Sequence, residues 1–200
     1  MAGSREWLKR HLKDPYVKQA QIDGYRSRAV YKLLEINDKE KIIKPGMGVI
    51  DLGAAPGSWA EWVQRAVGHK GFVIALDCLP MDPIHDITFI QGDVSQALKD
   101  SINNRPIDLV ISDMAPNLSG QKSVDQPRCV YLAELALELA IQVLVPRGCL
   151  LIKAFQGAGI EDLVKQLRLY FVQVKHIKPK ASRAASKEVY ILARNFKGRS

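Results

Sequence analysis

Four short runs constrain this chain more than anything else: Val49-Ile50-Asp51-Leu52, Phe72-Val73-Ile74-Ala75-Leu76, Leu109-Val110-Ile111 and Cys149-Leu150-Leu151-Ile152 are rich in β-branched and apolar residues and do not alternate with polar ones. A strand without a polar face must be covered on both sides, as in a parallel sheet sandwiched by helices. Between the runs, Trp59 to Val67, Ser95 to Ile102 and Arg128 to Val145 read as helices. The alternation implies right-handed crossovers and a doubly wound α/β fold. A helix over Ile160 to Leu169 is followed by Phe171 to Ile177 and Val189 to Ala193, with a polar, basic loop between them too short for another crossover helix. These two runs are expected to pair as a hairpin, which makes the last strand antiparallel.

With 200 residues, 47% of them hydrophobic, the chain fits a single domain over 1–200. Its natural division is Lys44-Pro45-Gly46, which separates a basic helical arm (1–44) from the strand-and-helix core (45–200). In the arm, Ser27 is the expected cap of a helix over Ala29 to Ile36, with Val30, Leu33 and Leu34 on its apolar face and Lys32 off it. No apolar run approaches the roughly 20 residues of a membrane span, and Met1 to His11 lacks a secretory pattern, so a cytoplasmic location and no membrane partner are expected. Cys78, Cys129 and Cys149 are far apart without C-x-x-C spacing, which argues for reduced thiols and against a metal site.

Charge is segregated. Residues 1–44 carry 11 basic and 6 acidic side chains, residues 45–164 carry 8 and 14, and residues 165–200 carry 10 and 1. Basic ends around an acidic centre suit a polyanion held from two sides; two solvated tails are the plainer reading.

Asp51-Leu52-Gly53-Ala54-Ala55-Pro56-Gly57-Ser58-Trp59 follows a strand and opens a helix, the position of a cofactor loop. The G-x-x-x-G spacing and Pro56 fit a pyrophosphate poorly. Asp51 and the glycine turn instead suit a ligand with an amino group and a carboxylate; the alternative is a tight turn without ligand. Asp77, ending the next strand, can accept from both hydroxyls of a ribose. Asp93, in Gln91-Gly92-Asp93-Val94 at the end of a further short strand between Asp77 and Ser95, either meets a base or caps the helix beginning near Ser95. Asp113 falls at the carboxyl edge of the sheet, where open α/β folds bind ligands. Lys153 interrupts an apolar strand: it is either an edge lysine facing water or a partly desolvated one placed for general-base work. Glu188 begins the antiparallel last strand, so it shares an edge with Asp113 and Lys153, and Lys32 from the arm completes a group of two lysines and two acids.

With these segments in place, and with Ser27 to Glu35, Ser112 to Asn117, Ser119-Gly120, Val124 to Arg128, Lys153 to Gly157 and Ser182 to Tyr190 in matching order and spacing, the chain resembles the RrmJ/FtsJ (RlmE) family of S-adenosylmethionine-dependent ribosomal RNA 2′-O-ribose methyltransferases. The resemblance implies a Rossmann-like class I methyltransferase with a seven-stranded, mostly parallel sheet, an antiparallel last strand and helices on both faces. It implies a catalytic group at Lys32, Asp113, Lys153 and Glu188, with Lys153 as proton acceptor. It also implies an S-adenosylmethionine pocket lined by Gly57, Trp59, Asp77, Asp93 and Asp113, beside the Asp51 and Gly53 read from the loop. The implied substrate is a uridine of 23S rRNA in the large ribosomal subunit, methylated by a monomer. Arg28, Lys178, Lys180 and Arg183 are candidate phosphate contacts. Ser58 departs from the family pattern, which often has glycine before the tryptophan.

Three competing functions remain open to test. Base methylation is disfavoured because Asp113 is followed by Met114-Ala115-Pro116-Asn117 rather than by a Pro-Pro-aromatic grip. A nicotinamide dehydrogenase is disfavoured by the loop spacing. A non-catalytic ribosome-assembly factor accounts for the basic ends but not for the four convergent charges.

Overall fold

Each apolar run forms a strand in the computed structural model, which describes residues 14–92, 95–183 and 186–198. Strands β1 (Gly48–Leu52), β2 (Phe72–Asp77), β3 (Ile87–Gln91), β4 (Ile107–Ser112) and β5 (Leu144–Phe155) pair in parallel. Strands β6 (Phe171–Ile177) and β7 (Glu188–Phe196) complete a seven-stranded sheet in the order β3-β2-β1-β4-β5-β7-β6. The hairpin forms as the sequence implies: β7 inserts between β5 and β6 and runs antiparallel to both.

The described helices are α1 (Pro15–Ile22), α2 (Val30–Glu40), α3 (Ser58–Val67), α4 (Ser95–Ile102), α5 (Lys122–Val143) and α6 (Ile160–Tyr170). Period-two alternation divides the core into two layers. Val49, Val73, Leu109 and Leu151 meet α2 and α3 on one face, while Ile50, Ile74, Val110 and Ile152 meet α5 and α6 on the other. Leu33 and Ile36 of α2 are fully buried, each stabilising the docked arm by about 1.5–3 kcal/mol. Among the described residues no helix is long and apolar enough to cross a membrane.

The structure corrects several sequence boundaries. Helix α1 adds to the helix expected in the arm: Asp14 caps it through the Tyr16 N–H and Pro15 occupies its first turn. Helix α2 extends to Glu40, and Ser27 is not its side-chain cap; the Ser27 hydroxyl instead accepts from the Ala29 N–H and bonds the Ser58 hydroxyl at 2.6 Å. Helix α5 begins at Lys122 rather than Arg128, accommodating Pro127 within it, and ends at Val143. Leu144 and Val145, expected in that helix, begin β5, whose pairing with β4 shifts register between Ile107 and Leu109.

Candidate active site

Sheet order reverses at β1, which lies between β2 and β4, so the crevice beyond its carboxyl end is the topological switch where α/β folds place ligands. Gly53 enters this crevice with φ +73°, and a Cβ there would lie 2.7 Å from Met114 Cγ and 3.1 Å from Met114 Cα. The turn after β1 thus presses against the turn after β4. Its conformation is fixed by Gly53 and Ala54 N–H groups donating to the Leu76 carbonyl at 2.9 and 3.1 Å, and by Asp77, which accepts from Ala55 N–H at 2.9 Å and Leu79 N–H at 2.8 Å. Each Asp77 oxygen keeps a further lone pair for a ligand hydroxyl. Gly57 has φ +104° and lies under Met81 and Ile84. It leads into α3, whose first-turn N–H groups have no intrahelical acceptor.

Asp51 is the unusual group beneath this turn. It is 1% exposed, and neither carboxyl oxygen has a hydrogen-bond partner in good geometry, the Ala60 backbone N–H being a weak, poorly aligned donor. Burial, reinforced by Asp113 and Asp77 and opposed in part by the Ala60 backbone N–H, pushes its acid from 3.8 up to about 8. Between these values the folded state holds a proton that the unfolded chain has released, so stability declines as pH rises through that window. Denaturant titrations from pH 5 to 8 should show a steeper decline for the wild type than for Asp51→Asn; parallel profiles would contradict the assignment.

The four charges expected at the sheet edge meet there. Asp113 follows β4; its Oδ1 lies 3.0 Å from Lys153 Nζ and 3.8 Å from Lys32 Nζ, while its carbonyl accepts from Lys153. Lys32 Nζ is 2.8 Å from Glu188 Oε1, which also accepts from the Ser182 hydroxyl at 2.9 Å. The hairpin causes this convergence: β5 and β7 place Lys153 opposite Tyr190 and Phe155 opposite Glu188. Lys153 is 9% exposed and faces the crevice, not bulk water. Two of its three ammonium donors are occupied by Asp113, leaving one direction for a substrate oxygen.

Several supporting residues escaped the sequence reading. Tyr190, fully buried, donates its hydroxyl to Asp113 Oδ1 at 2.5 Å; burial and the Asp113 and Glu188 carboxylates push this phenol well above its ordinary value, keeping it a donor. Arg26 donates to the Pro56, Asp82 and Pro83 carbonyls at 3.2, 2.9 and 3.0 Å, tying the arm to the glycine turn. Asp125 accepts from the Ser119 N–H and hydroxyl and the Gly120 N–H; the Ser119 N–H leads in holding its carboxyl below the ordinary value. The only signal for Asp125 was its place in the Val124 to Arg128 motif, and Arg26 carried none beyond its charge.

Trp59 is buried, donates its indole N–H to the Ala29 carbonyl at 2.8 Å, and packs 5.8 Å from the Tyr190 ring. Its side chain anchors the arm. Ser58, the departure from the family pattern, uses its hydroxyl for the bond to Ser27. Arg28 is not a free phosphate contact: its guanidinium pairs with Asp14, donates to the Ala181 carbonyl and is 14% exposed. Lys178, Lys180 and Arg183 remain on the surface, although Lys178 donates to the Ser186 carbonyl and Arg183 pairs with Asp14 at 3.4 Å. Asp93 lies outside the described residues.

Residues 25–196 match the FtsJ-like methyltransferase family. Proteins named Ribosomal RNA large subunit methyltransferase E from Pseudomonas aeruginosa and Acinetobacter baumannii are each 55% identical over 98% of this chain, covering 97% and 93% of their own lengths. A crystal structure of a Plasmodium falciparum protein described as a ribosomal RNA methyltransferase superposes with a TM-score of 0.78 at 31% identity, covering 88% of this chain and 100% of that one. The matched span contains the glycine turn and all four convergent charges, and the chain belongs to the FtsJ-like methyltransferase family.

Proposed function

We propose that this chain uses S-adenosylmethionine to methylate the 2′ oxygen of a uridine ribose in the 23S rRNA of the large ribosomal subunit, with Lys153 accepting the hydroxyl proton. The convergence of Lys32, Asp113, Lys153 and Glu188 beside the Gly53 to Gly57 turn carries this reading. The relatives' shared name supports large-subunit rRNA as the substrate.

The crevice suits the donor. Asp51, a buried carboxyl lacking a side-chain partner, offers an acceptor for an ammonium group. The N–H groups of the turn are spent within the fold, so the first turn of α3 offers the donors to a carboxylate, and the free lone pairs of Asp77 suit ribose hydroxyls. When bound, S-adenosylmethionine supplies an electrophilic methyl carbon on a cationic sulfur. Lys153, once unprotonated, would accept the 2′ hydroxyl proton while the sugar oxygen takes the methyl group that the donor would supply, the bonding pair staying with the donor's sulfur. Asp113 aims the Lys153 amine, Tyr190 holds Asp113, and Glu188 fixes Lys32 beside the reacting hydroxyl. Alignment of this kind accounts for on the order of 7–11 kcal/mol in well-oriented reactions, and general-base assistance for about 10²- to 10⁴-fold.

A non-catalytic RNA-binding role gives no reason for two lysines to converge on shared carboxylates. Incubation with S-adenosylmethionine carrying a labelled methyl group and large subunits lacking the mark should label one ribose at its 2′ oxygen. Absence of label, or label on a base, would reject the proposal.

A further inference from the structure

We infer that a cavity beside Lys153 takes the base of the nucleotide being methylated, an assignment that rests on the ribose-methylation reading above. The cavity measures about 540 Å³ and lies between the first turns of α5, the Phe155 to Ala158 segment and Ser186-Lys187. It adjoins the convergent charges: Lys187 precedes Glu188, Gln156 N–H donates to the Lys187 carbonyl at 2.9 Å, and Phe155 in its wall lies two residues beyond Lys153 and opposite Glu188.

Sheet order supplies the direction. The glycine turn follows β1, Asp113 follows β4, and the cavity lies off the end of β5, so a ribose held over Asp113 has the donor crevice on one side and this cavity on the other. A base hangs from the sugar carbon next to C2′, which makes the cavity its nearest shelter.

The lining has the chemistry of a base site. Leu118, Phe155, Ala158 and Cys129 present apolar surface to a planar ring. Lys122 and Lys187 are exposed at the rim and make no ion pair among the described residues, leaving them available to flanking phosphates. Two polar wall residues are committed elsewhere: Gln126 Nε2 donates to the Phe155 and Ala158 carbonyls at 3.0 Å each, and Asp125 binds Ser119 and Gly120. They hold the cavity's shape. A stacked base inside a duplex cannot enter such a recess, so the nucleotide must be unpaired or turned out.

Ala158→Trp fills the cavity from an exposed position, and Leu118→Ala removes an exposed part of its wall. With stacking and enclosure of the base lost, the filled variant should lose about tenfold or more in kcat/KM for unmethylated large subunits. Leu118→Ala should lose less, and both variants should bind S-adenosylmethionine as the wild type does. Subunits reconstituted with 4-thiouridine at the methylated position should photocrosslink to the cavity lining. Wild-type kinetics for Ala158→Trp, or crosslinks confined to residues outside the cavity, would overturn the assignment. The wild-type reaction run in parallel separates the two readings: an unlabelled ribose there refutes ribose methylation itself, whatever the variants do.

Discussion

Lys153→Ala is expected to slow methyl transfer about 10²- to 10⁴-fold while leaving S-adenosylmethionine affinity within a small factor of wild type. The loss corresponds to about 3 to 5.5 kcal/mol of transition-state stabilisation. The split follows from geometry: Lys153 contacts Asp113 at the ends of β4 and β5, whereas the candidate donor groups lie on the turn after β1 and at the end of β2. Removing one member of a part-buried ion pair also destabilises a fold. Here Asp113 retains the Tyr190 hydroxyl and Lys32, which limits that effect. Lys153→Met, which preserves the aliphatic stem, controls for lost packing and should be as inactive as the alanine variant. Calorimetric donor titration and single-turnover methyl transfer check both halves; a wild-type rate in either variant would remove Lys153 from the proton-transfer role.

Gly53→Ala should weaken donor binding at least about tenfold and lower the rate of the bound complex as well. A side chain at positive φ costs roughly 1–2 kcal/mol. At Gly53 the new Cβ would also meet Met114 at 2.7 Å on its side chain and 3.1 Å on its Cα, so the two turns must separate. Because Met114 adjoins Asp113, that movement reaches Lys153. Gly46 provides an internal comparison, with φ +84° and nothing within 4 Å of its built Cβ. Gly46→Ala should show the backbone cost alone, with donor affinity and rate preserved. If the two variants behave alike in binding and turnover, close contact between the turns has no functional role.

Apolar runs revealed the strands because burial on both faces leaves no room for polar alternation, and the short loop before Val189 revealed the antiparallel hairpin. Lys153 was conspicuous because an ammonium group inside an apolar strand needs a partner. Less legible features depended on contacts across the fold. Pro127 reads locally as a helix boundary, yet α5 extends beyond it in both directions, with Asp125 and Gln126 tying its first turns to neighbouring loops. Val145 reads as the last residue of the helix from Arg128 but belongs to β5, near an irregular register. Arg26 shows no local pattern at all; its role emerges only when three carbonyls from two separate segments come within its reach.

The pairing of Lys153 with Tyr190 and of Phe155 with Glu188 imposes a rule of parity. Successive strand residues point to opposite faces, so one inserted or deleted residue within β5 or β7 would turn half of the constellation away from the other half. Length variation among descendants of this chain must therefore collect in the connection between β6 and β7, where an added residue changes the path of the loop without reversing either strand. Natural indels or a scanning library confined to these two strands should divide sharply between odd and even shifts.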